Sequence, residues 1–134
     1  MPEQVLLAFD FGEKKIGVAV GNTLTRHARS LTIIKSAPRA ERFKQIAALL
    51  AQWQPDRLVV GLPLTIDGLE QDASRACRRF ANQLTGRFGI DVQLVDERGS
   101  SLEAQDLLGH HAPDDAVAAA VILQRYLDAL GSLE

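Results

Sequence analysis

A mixed α/β sheet is the fold class this sequence predicts, and three observations predict it. Three β-rich segments follow one another closely at the amino end. Apolar helical periodicity then alternates with short apolar runs. Turn-forming residues separate the segments. A meander followed by alternating helix and strand implies antiparallel strands first. Later strands then lie parallel to the first through right-handed crossovers.

The first strand is expected over 5–11, where Leu6-Leu7-Ala8-Phe9 ends on Asp10 and Gly12. A second follows over 15–21, and Leu31-Thr32-Ile33-Ile34 marks a third over 30–35. Over 40–53 the period changes. Phe43, Ile46, Ala47, Leu50 and Trp53 recur at steps of three and four, an amphipathic helix closed by Pro55-Asp56. Leu58-Val59-Val60 suits a strand over 57–61 in the buried middle of a sheet.

Asp67 with Glu70 three residues on reads as a capping box. It predicts a long helix from there to about residue 88, with Leu69, Ala73, Ala76, Phe80, Leu84 and Phe88 on one face. Gly89 stops it, and 91–95 alternates towards a fifth strand. Ser100 and Glu103 mark a short helix ending near Gly109, and a last helix is expected over 114–130. No repeat or linker-like segment interrupts 1–134, which reads as one domain with one core.

Composition narrows the class. The longest apolar run, 116–123, is too short to span a bilayer. The first residues, Met1-Pro2-Glu3-Gln4, carry no basic stretch before an apolar one, so no signal peptide is expected. Cys77 is the single cysteine, cannot close an internal disulfide, and fits a reducing, cytoplasmic setting. It lies in an apolar helical pattern, as a buried structural thiol would. A net charge of −2 argues against indiscriminate polyanion binding. Nucleic acid would have to be held by local basic patches, with cations offsetting phosphate charge.

The chemistry concentrates in carboxylates at element ends. Asp10 closes the first strand, Asp96-Glu97 the fifth, and Asp114-Asp115 opens the last helix. In mixed sheets the carboxyl ends of parallel strands form one edge, where sites gather. Three clustered acids without cysteine make a hard oxygen site, suited to Mg²⁺ or Mn²⁺ rather than zinc. Two such ions about 4 Å apart activate water and stabilise the departing oxygen of a phosphodiester.

Each acid also has an ordinary reading. Asp10 fits an Asp-x-Gly turn, Glu97 a salt bridge to Arg98, and Asp114 or Asp115 an N-cap. Either Asp96 or Glu97, and either Asp114 or Asp115, is open as the ligand on residue pattern alone.

Four blocks carry a resemblance. They are D-F-G-E-K-K-I-G-V-A-V-G at 10–21, G-L-P-L at 61–64, D-E-R at 96–98 and D-A-V-A-A-A-V-I-L at 115–123. Together, in this order over nearly the whole chain, they resemble the YqgF family. That family has an RNase H-like fold and is described as pre-16S rRNA nucleases and Holliday-junction-resolvase-like proteins. The resemblance implies a metal-dependent nuclease maturing the 5′ end of small-subunit rRNA, with its catalytic acids at Asp10, Glu97 and Asp115. Asp114 is then left as the cap.

The chain departs from the family pattern at Glu13, where a hydroxyl residue is usual, and at Gly99, where leucine is common. The segment before Asp115 is also short where many relatives carry a longer basic loop. That loss bears on substrate affinity more than on metal binding.

Lys14, Lys15, Arg26 and Arg98 are expected near this edge as phosphate contacts, which carry little sequence information. Arg75, Arg78, Arg79 and Arg87 lie off the apolar stripe of the long helix, as phosphate ligands or as a solvated face. His110 and His111 precede the last acid, either as proton-transfer groups or as solvated loop residues.

The expected partner is nucleic acid, RNA before branched DNA, with no membrane, the chain being a monomer or a weak homodimer. Three other functions fit the same features. One is a junction-cutting DNA resolvase-like nuclease. Another is a non-catalytic RNA- or ribosome-binding module. The third is a nucleotide-binding phosphotransfer domain, since Asp-x-Gly before a glycine-bearing strand also marks phosphate-binding hairpins.

Overall fold

The structure is a computed structural model that describes residues 3–97 and 115–132. Five strands form one mixed sheet: β1 (Val5–Phe11), β2 (Lys15–Asn22), β3 (Ala28–Lys35), β4 (Arg57–Leu62) and β5 (Asp91–Asp96). Their spatial order is β3-β2-β1-β4-β5. The β1–β2 and β2–β3 pairs are antiparallel, while β1–β4 and β4–β5 are parallel. The expected meander and parallel extension are both present.

Strand parity divides the apolar residues between two faces. Leu7, Phe9, Val18, Val60 and Leu62 face one way. They pack against Phe43 and Ile46 of α1 (Arg39–Trp53) and Phe80 and Leu84 of α2 (Asp72–Phe88). Leu6, Ala8, Ala19 and Val59 face the other way, onto Ala119, Ile122, Leu123 and Leu127 of α3 (Asp115–Ser132). Small residues line this second face and let α3 approach closely. A Cβ placed on Gly21 would stand 3.1 Å from Leu123 Cδ2 and 3.3 Å from Leu127 Cδ1. Among the described residues no helix is long and apolar enough to cross a membrane.

Two element ends differ from expectation. The third strand starts at Ala28 rather than 30, because Ala28 and Arg29 pair with Gly21 and Val20 of β2, and the Ala28 N–H also donates to Gln124 Oε1 on α3 at 2.9 Å. The long helix does not start at Asp67. Residues 65–68 form a turn, in which the Gly68 N–H donates to the Thr65 carbonyl at 2.8 Å with Gly68 at φ +84°, and Leu64 bridges to Glu70. The capping box is instead Gln71 with Ser74, whose Oγ accepts the Gln71 N–H at 2.9 Å and donates to the carbonyl of Pro63. Leu69, expected on the buried face, is 64% exposed, and Ala73 is also exposed. The buried stripe runs through Ser74, Cys77, Phe80, Ala81 and Leu84. The short helix expected over 100–109 lies outside the described residues.

Candidate active site at the carboxyl end of the sheet

Register fixes which side chains meet. On β1, Leu6 and Ala8 face α3, so Asp10 shares their face. On β4, Val59 faces α3, and so does the position of Gly61. On β5, Val95 packs against the same cluster, and Glu97, two residues on, keeps its parity. Phe9 pairs with Val60, and Gly61 pairs with Val95. Glu97 continues the ladder, its N–H donating to the Leu62 carbonyl at 3.2 Å. Asp10 and Glu97 therefore flank β4 at its end, on one face.

Gly61 is what lets them touch. A Cβ there would lie 2.6 Å from Glu97 Oε2 and 2.5 Å from Ile122 Cδ1, closer than any real Cβ contact. The glutamate carboxyl occupies the space that any side chain at position 61 would take. From there it crosses over β4 and hydrogen-bonds to Asp10.

The electrostatic consequence is large. The Glu97 pKa is pushed up to about 8, first by burial, then by the Asp10 charge and by the hydrogen bond to it. Arg125 opposes that rise and Asp96 adds to it slightly. The Arg125 guanidinium donates to the Asp96 carbonyl at 3.0 Å, which brings one cation to the end of β5. Cys77, 2% exposed beneath the sheet, is pushed up to about 12 by burial and then by Glu97 and Asp10. A thiol so held is protonated at neutral pH and no nucleophile.

The other expected site residues divide by position. Lys14 and Lys15 are exposed on the β1–β2 turn directly after Asp10, where Gly12 N–H donates to the Lys15 carbonyl at 3.0 Å. Arg26 does not join them. It sits in the β2–β3 turn, at the amino end of β1, where Val5 pairs with Asn22. The expectation that it lies near the acidic edge is corrected by the meander itself. Each antiparallel turn reverses the edge, so only the first turn shares the carboxyl end of β1.

Arg98, His110, His111 and Asp114 lie outside the described residues. Asp115 opens α3, though its side chain lies outside the described residues. Steps of four and three place position 115 on the helical face of Ala119 and Ile122. It stands two turns, about 10 Å, beyond Ile122. The helix runs from this edge back towards the amino end. Ile122 meets the Gly61 position, Leu123 and Leu127 meet Gly21, and the Tyr126 hydroxyl accepts from Arg57 Nη1 at 2.5 Å.

Gly61 and Arg125 were not assigned a role from sequence. The glycine that ends an apolar strand and the single arginine in the 116–127 run were the available signs.

The pair fits a divalent cation. Two carboxyls forced together, one partly buried and holding its proton to about pH 8, need either that proton or an external cation. Their donor atoms are all hard oxygens, the set that magnesium and manganese prefer. Among the described residues they do not form a group of three potential ligands.

The chain is similar to known proteins along nearly its whole length. A family model described as RuvX, Holliday junction resolvase, matches residues 4–129. A Bordetella parapertussis protein named "Putative pre-16S rRNA nuclease" is 74% identical over 130 residues, covering 97% of this chain and 98% of its own length. A Burkholderia cenocepacia protein of the same name is 52% identical over 140 residues, covering 98% and 94%.

Two solved structures share the fold. One is Thermus thermophilus RuvC in complex with a Holliday junction substrate, with a TM-score of 0.57, 20% identity and 96% coverage of both chains. The other is the fowlpox virus resolvase with Holliday junction DNA, with a TM-score of 0.62, 15% identity and coverage of 94% and 98%.

Proposed function

Because this chain belongs to the RuvX Holliday junction resolvase family, and is a nuclease of RNase H-like fold, we propose that it cleaves phosphodiester bonds of pre-16S rRNA. The reading is one domain over 1–134 that trims the 5′ end in the cytoplasm. Asp10, Glu97 and Asp115 are its catalytic acids, and they hold Mg²⁺ or Mn²⁺. The observation that carries the proposal is the Asp10–Glu97 pair, drawn together across Gly61 at the edge where α3 begins.

The residues divide the work. Asp10, on the central strand, pairs with Gly17 of β2 just beyond the end of the β1–β4 ladder at Phe9. Glu97, at the end of β5, supplies the facing carboxylate and gives up its proton when a cation binds. Asp115 completes the donor set from the first turn of α3. A divalent cation bound there supplies charge neutralisation at the scissile phosphate and acidifies an attacking water. Lys14 and Lys15 hold flanking phosphates on the β1–β2 turn, and Arg98, next to Glu97, is the third such contact. His110 and His111 are candidates for the leaving-group proton.

The family description favours a second reading, in which the scissile strand belongs to branched DNA. One assay separates the two. Purified protein is incubated with structured RNA, single-stranded RNA and four-way DNA, with Mg²⁺, with Mn²⁺ and with chelator. The expected result is metal-dependent RNA product. Asp10→Asn lowers it on the order of 10³-fold, the scale of removing one charge-stabilising group from a preorganised site. Its circular dichroism is unchanged. Cutting of DNA alone selects the resolvase reading. Binding without product in any arm selects a non-catalytic module, and undiminished cleavage by Asp10→Asn removes that residue from the mechanism.

A further inference from the structure

We propose that the groove between α1 and α2 is a second RNA-backbone site, which holds a stretch of the substrate away from the point of cleavage. The groove is an open cavity of about 800 Å³ lined by Arg39, Ala40, Phe43, Lys44, Ala47, Arg87 and Phe88. Three of these residues are cations and none is an acid. The chain as a whole carries a net charge of −2, so this is a local reversal of sign.

Among the described residues these cations are also unmatched by acids. On the same α2 helix Arg75 pairs with Asp72, and Arg78 with Glu70 at 2.6 Å. Arg39, Lys44 and Arg87 make no ion pair among the described residues. The acid nearest in sequence, Glu41, is occupied by Gln45, whose Nε2 donates to it at 2.9 Å.

The groove is built rather than merely charged. The Arg87 guanidinium lies 4.0 Å over the Phe43 ring, and Arg39 lies 5.9 Å from the same ring. Stacking on a buried aromatic holds a flat, forked donor in place without neutralising it. Phe43 is 5% exposed, so the floor is closed to bases and the recognition element is the row of cations. That chemistry suits a phosphate backbone and reads no sequence.

The groove lies on the α1–α2 face of the sheet, opposite the face that carries Asp10, and is tied to the carboxyl edge at two points. Phe11 follows Asp10 on β1. Its ring packs on the α1–α2 side, and Arg42 lies 4.9 Å over it and 5.6 Å from Phe43, which joins the groove floor to the end of β1. The N–H of Ser36 donates to the Lys14 carbonyl at 3.1 Å, which ties the β1–β2 turn to the segment entering α1. Lys14 and Lys15 thus begin a cationic track that Arg39, Lys44 and Arg87 extend around the sheet. A long RNA can use both parts, whereas a short one engaged at the carboxylates reaches only the first.

The inference rests on the nucleic-acid reading above, and its test is separable from it. Binding is measured by fluorescence anisotropy in the Asp10→Asn background without metal, so cleavage plays no part. The probes are a 30-nucleotide and a 6-nucleotide single-stranded RNA and a polyglutamate peptide.

The expected result for Lys44→Glu/Arg87→Glu is at least tenfold weaker binding of the 30-mer with 6-mer binding unchanged. The slope of log affinity against log salt also falls by about 1.4, two phosphate contacts at ~0.7 each for a single strand. Lys44→Gln/Arg87→Gln, which removes both charges without reversing them, gives a smaller loss in the same direction and serves if the reversed variant fails to fold. Unchanged 30-mer affinity and slope overturn the proposal. Equal loss for both RNAs overturns it too, because the effect is then not confined to a remote segment. Polyglutamate binding that is lost while RNA binding persists assigns the groove to an acidic protein instead. Wild-type protein that cleaves RNA but shows no groove effect leaves the nuclease reading standing without this one.

Discussion

The two ends of the sheet treat the same residue type in opposite ways. At the amino end Asp56 and Asp91 each have a partner in the architecture. Asp56 accepts the Val5 N–H at 2.8 Å while its own N–H donates to the Val5 carbonyl at 2.8 Å. Asp91 pairs with Arg57 at 2.6 Å, and Arg57 also donates to Tyr126. At the carboxyl end Asp10 and Glu97 are set against each other across a missing side chain, and the Glu97 pKa moves to about 8. The amino end uses its acids to join β1 to the segment entering β4, and β4 to β5. The carboxyl end keeps an electrostatic conflict that a folded chain would ordinarily avoid, and such conflicts gather at functional sites.

The sharpest way to break this contrast is to fill the gap. In Gly61→Ala the new Cβ collides with Glu97 Oε2 and Ile122 Cδ1. Overpacking of this kind costs about 1–3 kcal/mol. Cleavage should fall further than stability does, because Glu97 can no longer reach Asp10. Denaturant melts beside single-turnover cleavage rates check it. A variant as active as the wild type would mean that the two carboxyls need not meet.

A smaller effect comes from pH. Glu97 binds its proton more tightly folded than unfolded, so the folded state holds more protons between the ordinary carboxylate range and about pH 8. Stability of the metal-free protein therefore falls as pH rises through that window. Metal affinity moves the other way. Below about pH 8 a cation must displace the proton, so Mn²⁺ affinity rises up to tenfold per pH unit and then levels off. Calorimetry in buffers of different ionisation enthalpy should show about one proton released near pH 7. In Glu97→Gln both dependences flatten.

The smallest effect belongs to the amino end. Arg57→Ala removes one partly exposed ion pair and one hydrogen bond, worth about 1 kcal/mol together. It should leave the cleavage rate untouched. A rate loss comparable to that of Gly61→Ala would erase the distinction between the two edges.

Local pattern was enough for much of the architecture. It located all five strands and the three described helices, because each depends on neighbours within a few residues. Local pattern also misled. Asp67 with Glu70 satisfies the capping rule, yet the turn at Gly68 takes them, and Gln71 with Ser74 caps α2 instead. Ser74 prevails because its hydroxyl also binds the Pro63 carbonyl, a partner eleven residues away. Arg26 was misplaced for a related reason: spacing says that a turn exists, but the sense of the meander says which end of the sheet it occupies.

What the sequence determined by itself is the order of elements, the division of apolar residues into two faces, and the acids that end β1 and β5. Register then turned Glu97 rather than Asp96 towards Asp10, because a one-residue step in a strand reverses the face. Only the tertiary structure decided that Glu97 crosses to Asp10, that Gly61 makes room for it, and that Arg125 braces the end of β5. Periodicity is a property of consecutive residues. A contact between positions 10, 61 and 97 exists only once strands distant in the chain have been laid side by side.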